Sequence, residues 1–130
     1  MNRRLWVWGP AVLVMGAIFY ASSIPDLSEI PGGVSDKTAH FAAYALLGAM
    51  VFRALSTARV SFATLGAAVS ALLISSFYGV TDEFHQHFVH GRMPDVNDWI
   101  ADSLGAAAAV LLCWLVAHLV RRLRVQRGEV

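Results

Sequence analysis

Charge is scarce in this chain: Asp, Glu, Lys and Arg together make up 15% of its 130 residues, against 57% apolar residues. A water-soluble domain of this size could not hide so much apolar surface in its core. No basic stripe suited to nucleic acid is present. Cysteine is nearly absent. The single Cys113 lies inside an apolar run, can form neither an internal disulfide nor, alone, a structural metal site, and reads as a small packing residue. The chain also lacks a His-Glu-x-x-His run, a phosphate-cradling glycine loop and a serine-nucleophile motif, which leaves the common metallopeptidase, nucleotide-binding and serine-hydrolase patterns without support. No internal repeat occurs, and the only simple tract is Ala106-Ala107-Ala108-Ala109.

What is there is apolar sequence in long runs. Residues 5–22, 39–55, 62–80 and 99–120 each approach or exceed the 17 or so residues that a helix needs to cross a hydrocarbon layer about 30 Å thick. The second run is the weakest, with His40 at one end and Arg53 at the other. The expected fold is therefore all-α: a single domain, residues 1–130, forming a four-helix transmembrane bundle. Arg3-Arg4, an apolar stretch and Ala21-Ser22-Ser23 also resemble a leader with a small-residue cleavage site. The apolar part outruns the usual leader core, which favours a retained first helix.

The few charges are unevenly placed. With the N-terminus cytoplasmic, Arg3, Arg4, Arg53, Arg59, Arg121, Arg122, Arg124 and Arg127 fall inside, and only Lys37 and Arg92 outside. That bias predicts both termini in the cytoplasm. Trp6 and Trp8 suit the inner headgroup belt, Tyr20 and Trp99 the outer one, and Arg53 and His118 the inner interface. Residues 24–33, rich in Pro and Gly, read as an outer loop and 56–61 as a short inner turn, so helices two and three are expected to be antiparallel neighbours. Gly105 and Ala109 form a small-xxx-small pair for close helix packing.

Three polar stretches then share the outer face. In the first, Ser35 is a candidate N-cap, and Asp36 and His40 lie four apart on one helix face. Asp36 also suits the helix dipole, which explains an acid there without further function. Lys37 suits a lipid phosphate. In the second, Asp82, Glu83 and Gln86 stand at the exit of helix three, where the dipole opposes negative charge. Lys37, Arg92 or a metal must then compensate those acids. His85 and His87, two apart, point to different faces and make no strong metal pattern. In the third, Gly91-Arg92-Met93-Pro94 reads as a loop with Pro94 starting a helix. Asp95, Asp98 and Asp102 follow on one stripe. Capping accounts for Asp95 and Asp98 but not for Asp102, one turn deeper.

The ordered blocks Asp36-Lys37-x-x-His40-Phe41-x-x-Tyr44-x-Leu46-Leu47-Gly48, Asp82-Glu83-x-x-Gln86-x-Phe88-x-x-Gly91-Arg92 and Asp95-x-x-Asp98-x-x-x-Asp102-x-x-Gly105 resemble the VanZ-like family of small bacterial membrane proteins, over about residues 35–109. Where many members carry Asn, this chain carries Asp102. The resemblance implies a multi-pass protein of the bacterial cytoplasmic membrane, linked to cell-envelope stress and to glycopeptide (teicoplanin) resistance.

Acids, imidazole and guanidinium on one face form a workable acid–base site. Asp36, His40, Asp82, Glu83, Gln86 and Asp98 are the candidate catalytic residues, and Lys37, Arg92, Asp95 and Asp102 the candidate substrate-binding ones. The expected partners are the lipid bilayer and a lipid-linked cell-wall precursor or glycopeptide, with no nucleic acid. A second copy of the chain, a metal and a cofactor all stay open, as does a non-catalytic role in binding envelope lipid or drug.

Overall fold

In a computed structural model, the protein is described over residues 2–25, 33–58 and 64–128. Four helices follow in order: α1 (Arg3–Ser22), α2 (Asp36–Ala58), α3 (Leu65–Gln86) and α4 (Val96–Gln126). No strand occurs among the described residues. Most of the expected loop at 24–33 and half of the turn at 56–61 lie outside them.

Each helix start is held by a side chain that accepts from an otherwise free amide of the first turn. Asn2 accepts from Arg4, Ser35 from Thr38, Thr64 from Ala67 and Asp95 from Asn97. Pro94 stays in the loop, so the expected proline start gives way to an aspartate cap. All four helices are long and apolar enough to cross a membrane. At 1.5 Å per residue the 20 residues of α1 span about 30 Å and the 31 of α4 about 46 Å, so α4 outreaches a bilayer core by several turns.

The burial pattern is the reverse of a soluble bundle. Leu13, Phe77, Leu104, Leu112 and Leu119 are exposed, whereas Asp82, Glu83, Gln86, Asp98 and Asp102 are buried. Large apolar groups facing outward with acids facing inward is the arrangement that hydrocarbon solvent selects. The apolar core lies deeper along the bundle, where Tyr44, Leu47, Val51 and Phe52 of α2 meet Ala67, Ala68 and Ala71 of α3, Val110 of α4, and Ala11 and Ile18 of α1.

α2 makes its most extensive contact with α4 rather than with its chain neighbour α3. Gly105 permits this, because a Cβ there would collide with the backbone carbonyl of Phe41. Ala106, fully buried, lies against α2 at Gly48, where a Cβ would stand 3.0 Å from the Ala106 backbone, and Ala109, four residues from Gly105, is partly buried. The helices also outrun the apolar runs. α2 begins at Asp36, behind the expected Ser35 cap, and α3 continues past its apolar run to Gln86, as the placement of Asp82, Glu83 and Gln86 at its exit predicts. Polar side chains that find partners between helices let the helices continue through them.

Candidate functional site

One end of the bundle gathers the start of α2, the end of α3 and the start of α4, together with the end of α1. All ten candidate residues lie there, in two layers. The outer layer is an ion-pair rim. Lys37 Nζ is 2.9 Å from Asp95 Oδ2 and 2.8 Å from Asp98 Oδ1, which ties α2 to the start of α4. The hydrogen bond from Lys37, with a second from the Asn97 amide, pulls the Asp95 carboxyl down to about 2. Asp36 lies at the same rim, with Oδ1 4.0 Å from His40 Nε2.

The inner layer is buried. His40 Nδ1 and Asp102 Oδ1 are 2.9 Å apart, and Asp102 is fully buried. When the Asp102 carboxylate is ionised it can only accept, and the proton of that bond is then on Nδ1, with Nε2 facing Asp36. Asp102 comes this close to α3 because position 79 is glycine: a Cβ on Gly79 would stand 2.9 Å from Asp102 Oδ2. One turn along α3, Glu83 Oε2 accepts from the Asp95 amide at 2.9 Å, and Asp82 Oδ2 accepts from Gln86 at 3.3 Å. Asp82 Oδ1, Glu83 Oε1, Asp102 Oδ2, Tyr44 Oη and Ser75 Oγ are buried with no hydrogen-bond partner among the described residues. Unpaired buried carboxylate oxygens are costly, so such a cluster needs a reason to exist.

The expected compensation of Asp82 and Glu83 by Lys37 or Arg92 is not what the fold does. Lys37 belongs to Asp95 and Asp98, while Arg92 donates to the carbonyls of Ala21 and Ile24 at 3.3 Å each. Those carbonyls lie at the C-terminal end of α1, where the dipole favours a cation. His85 also turns to α1, stacked on Phe19 with Nε2 2.9 Å from Ser23 Oγ. Arg53, at the opposite end, donates to the Val7 carbonyl at 3.4 Å and lies 5.7 Å from the centre of the Trp6 ring.

Between α1, α2 and α3 the cluster opens into a cavity of about 120 Å³. Asp36, His40, Asp82, Gln86 and Arg92 line its polar part, and Ile18, Ala39 and Ala43 its apolar part. Among the described residues, two sets of donors are close enough together to hold a metal ion: Asp36, His40 and Asp98, and His40, Glu83 and Asp102.

A family model described as VanZ/LLP1 matches residues 8–117. The chain belongs to the VanZ/LLP1 family. No curated protein and no solved structure matches it. The match starts in α1, well before residue 35, so the VanZ/LLP1 unit includes the helix that walls one side of the cavity. With four membrane-length apolar helices, this VanZ/LLP1 chain is a multi-pass membrane protein.

Two features of the VanZ/LLP1 site escaped the sequence reading. Tyr44 extends the stripe of Asp36 and His40 by another four residues and lines the cavity. That i, i+4, i+8 spacing was a usable signal. Gly79 had none, since its role exists only against Asp102 on another helix.

Proposed function

We propose that this VanZ/LLP1 protein spans the bacterial cytoplasmic membrane with both termini inside, and that its polar end acts at the outer leaflet on an anionic, lipid-linked cell-wall substrate. The exposed arginines of α1 and α4 at the opposite end support that orientation. The observation that carries the reading is His40, 2.9 Å from the buried Asp102, in the wall of a cavity lined by both polar and apolar side chains. A buried carboxylate that fixes one imidazole nitrogen leaves the other oriented for proton exchange, as in a histidine–aspartate catalytic pair. The apolar wall suits the start of a lipid chain. Arg92 suits the anionic head, since two carbonyls do not neutralise its charge.

In this reading His40, Glu83, Asp82, Gln86, Asp36 and Asp98 serve the chemistry. Lys37, Asp95 and Asp102 hold the elements that carry them. The cellular role is envelope-stress tolerance, with glycopeptide resistance as its readout.

The test is a host whose teicoplanin tolerance and lipid-linked precursor pools change when the chain is expressed. His40→Ala and Glu83→Gln should each abolish the change at unaltered membrane abundance. Wild-type behaviour in both variants would remove the acid–base role, and tolerance of Glu83→Gln alone would favour simple binding. Labelling of Lys37→Cys and Arg92→Cys variants with an impermeant thiol reagent should occur from the periplasm, in the Cys113→Ala background.

A further inference from the structure

His40, Glu83 and Asp102 arrive from three different helices, yet one donor atom of each lies within 4.8 Å of both others. Glu83 is 8% exposed and Asp102 not at all. Each keeps one oxygen without a partner among the described residues, Oε1 of Glu83 and Oδ2 of Asp102. Asp102 Oδ2 rests against Gly79, one turn from Glu83 on the same face of α3, so the unpartnered oxygens belong to one locality.

The local charge points the same way. Four carboxylates, Asp82, Glu83, Asp98 and Asp102, are buried at this end, and the cations paired with them are one imidazole and one ammonium, while Arg92, in the wall of the same cavity, donates to backbone carbonyls of α1 and the residues after it. That ammonium, Lys37, is shared with a fifth carboxylate, Asp95. Negative charge in excess, desolvated and short of donors, is the environment a cation would complete.

We propose that His40, Glu83 and Asp102 form a binding site for one divalent cation of the zinc class. Imidazole nitrogen and carboxylate oxygen are both zinc ligand types, and three protein ligands leave a fourth tetrahedral position for water or substrate. Donors at zinc–ligand lengths of about 2.0–2.2 Å stand about 3.4 Å apart in a tetrahedron, so the three need to close by little more than 1 Å. The ion would take the place of the His40–Asp102 hydrogen bond and bind Nδ1. Nε2 would then carry its proton towards Asp36, 4.0 Å away, and the Asp36 carboxylate would fix the ring from behind. The inference keeps the reading of this cluster as a reactive centre but changes the part His40 plays in it, from proton exchange through Nε2 to holding an ion that would present an activated water beside the cavity. It stands on the donor geometry whether or not the substrate is the proposed one.

Purified full-length protein in detergent, stripped with chelator, is titrated with zinc chloride, and bound zinc is counted by elemental mass spectrometry. Wild type should hold one zinc per chain. Glu83→Gln and Asp102→Asn should each weaken binding by more than 100-fold, and Asp36→Asn by about tenfold. His118→Ala, at the far end of α4, should bind as wild type. Helical circular dichroism and a single size-exclusion peak identify variants that stay folded. Failure of folded wild type to take up zinc stoichiometrically overturns the proposal, and so does undiminished binding by folded Glu83→Gln or Asp102→Asn. Zinc binding without any effect of His40→Ala on precursor pools would keep the metal site and sink the proposed reaction. The reverse pair of results would do the opposite.

Discussion

Asp102 is fully buried near the start of α4, whereas Arg121, Arg122 and Arg124 stand exposed near its end. The same helix thus carries charge under two regimes. At the polar end three of the four buried acids are fixed by groups from other segments: Asp102 by His40 of α2, Asp98 by Lys37 of α2, and Glu83 by the amide that caps α4; Asp82 is held by Gln86 of its own helix. At the arginine end, interfacial water and headgroups can serve each guanidinium. A charge in the first regime is worth what its partners make it worth, and a charge in the second is almost interchangeable.

The largest expected effect follows from breaking the buried pair. His40→Leu leaves the Asp102 carboxylate uncompensated in the bundle, and unfolding in bicelles should show a loss of about 3–5 kcal/mol. The double variant His40→Leu with Asp102→Leu should recover most of that loss, because a well-packed apolar pair often matches a buried ion pair. A double variant as unstable as the single one would mean that the pair is not the unit that matters. Next comes Gly105→Val, which drives a side chain into the Phe41 backbone and should cost about 1–3 kcal/mol in the same measurement.

A smaller effect is expected at the half-exposed rim. The Asp95 carboxyl is held down to about 2 by Lys37 and by the Asn97 amide. A depressed carboxylate contributes stability that is complete above its ordinary range near 4 and is lost as pH falls through about 2. Melting scans of wild type and Asp95→Asn should therefore differ by a constant amount between pH 5 and 8 and converge only below about 4. At the arginine end, Arg122→Ala should change stability by no more than about 0.5 kcal/mol in either direction. A larger loss there would erase the contrast between the two ends.

The same contrast explains what could be read from the chain. Four spans were legible, because each is a single apolar run of membrane length. The polar rim was legible too, since Asp36, Glu83 and Asp102 are conspicuous wherever neighbouring residues are apolar. Partnership was not. His40 and Asp102 are 62 residues apart, and the register that joins them depends on the close approach at Gly105. Local spacing pointed to Asp36 as a companion of His40, which the fold keeps at 4.0 Å while adding Asp102, and to Lys37 or Arg92 as companions of Asp82 and Glu83. The fold sends Lys37 to α4 and Arg92 to the end of α1 instead. The polar helix ends were legible as well: Ser35 as the cap of α2 and Asp82, Glu83 and Gln86 at the exit of α3 stand where the sequence put them, although hydropathy alone falls off before them.

The hollow at Gly79 has a consequence for how such a chain can change over time. An alanine there would press its methyl group against the carboxylate from α4, so position 79 cannot gain bulk while Asp102 keeps its place. A descendant that gained bulk at 79 would have to accept a shorter or displaced group at 102 in the same step. Two sites 23 residues apart are thus bound to a shared history.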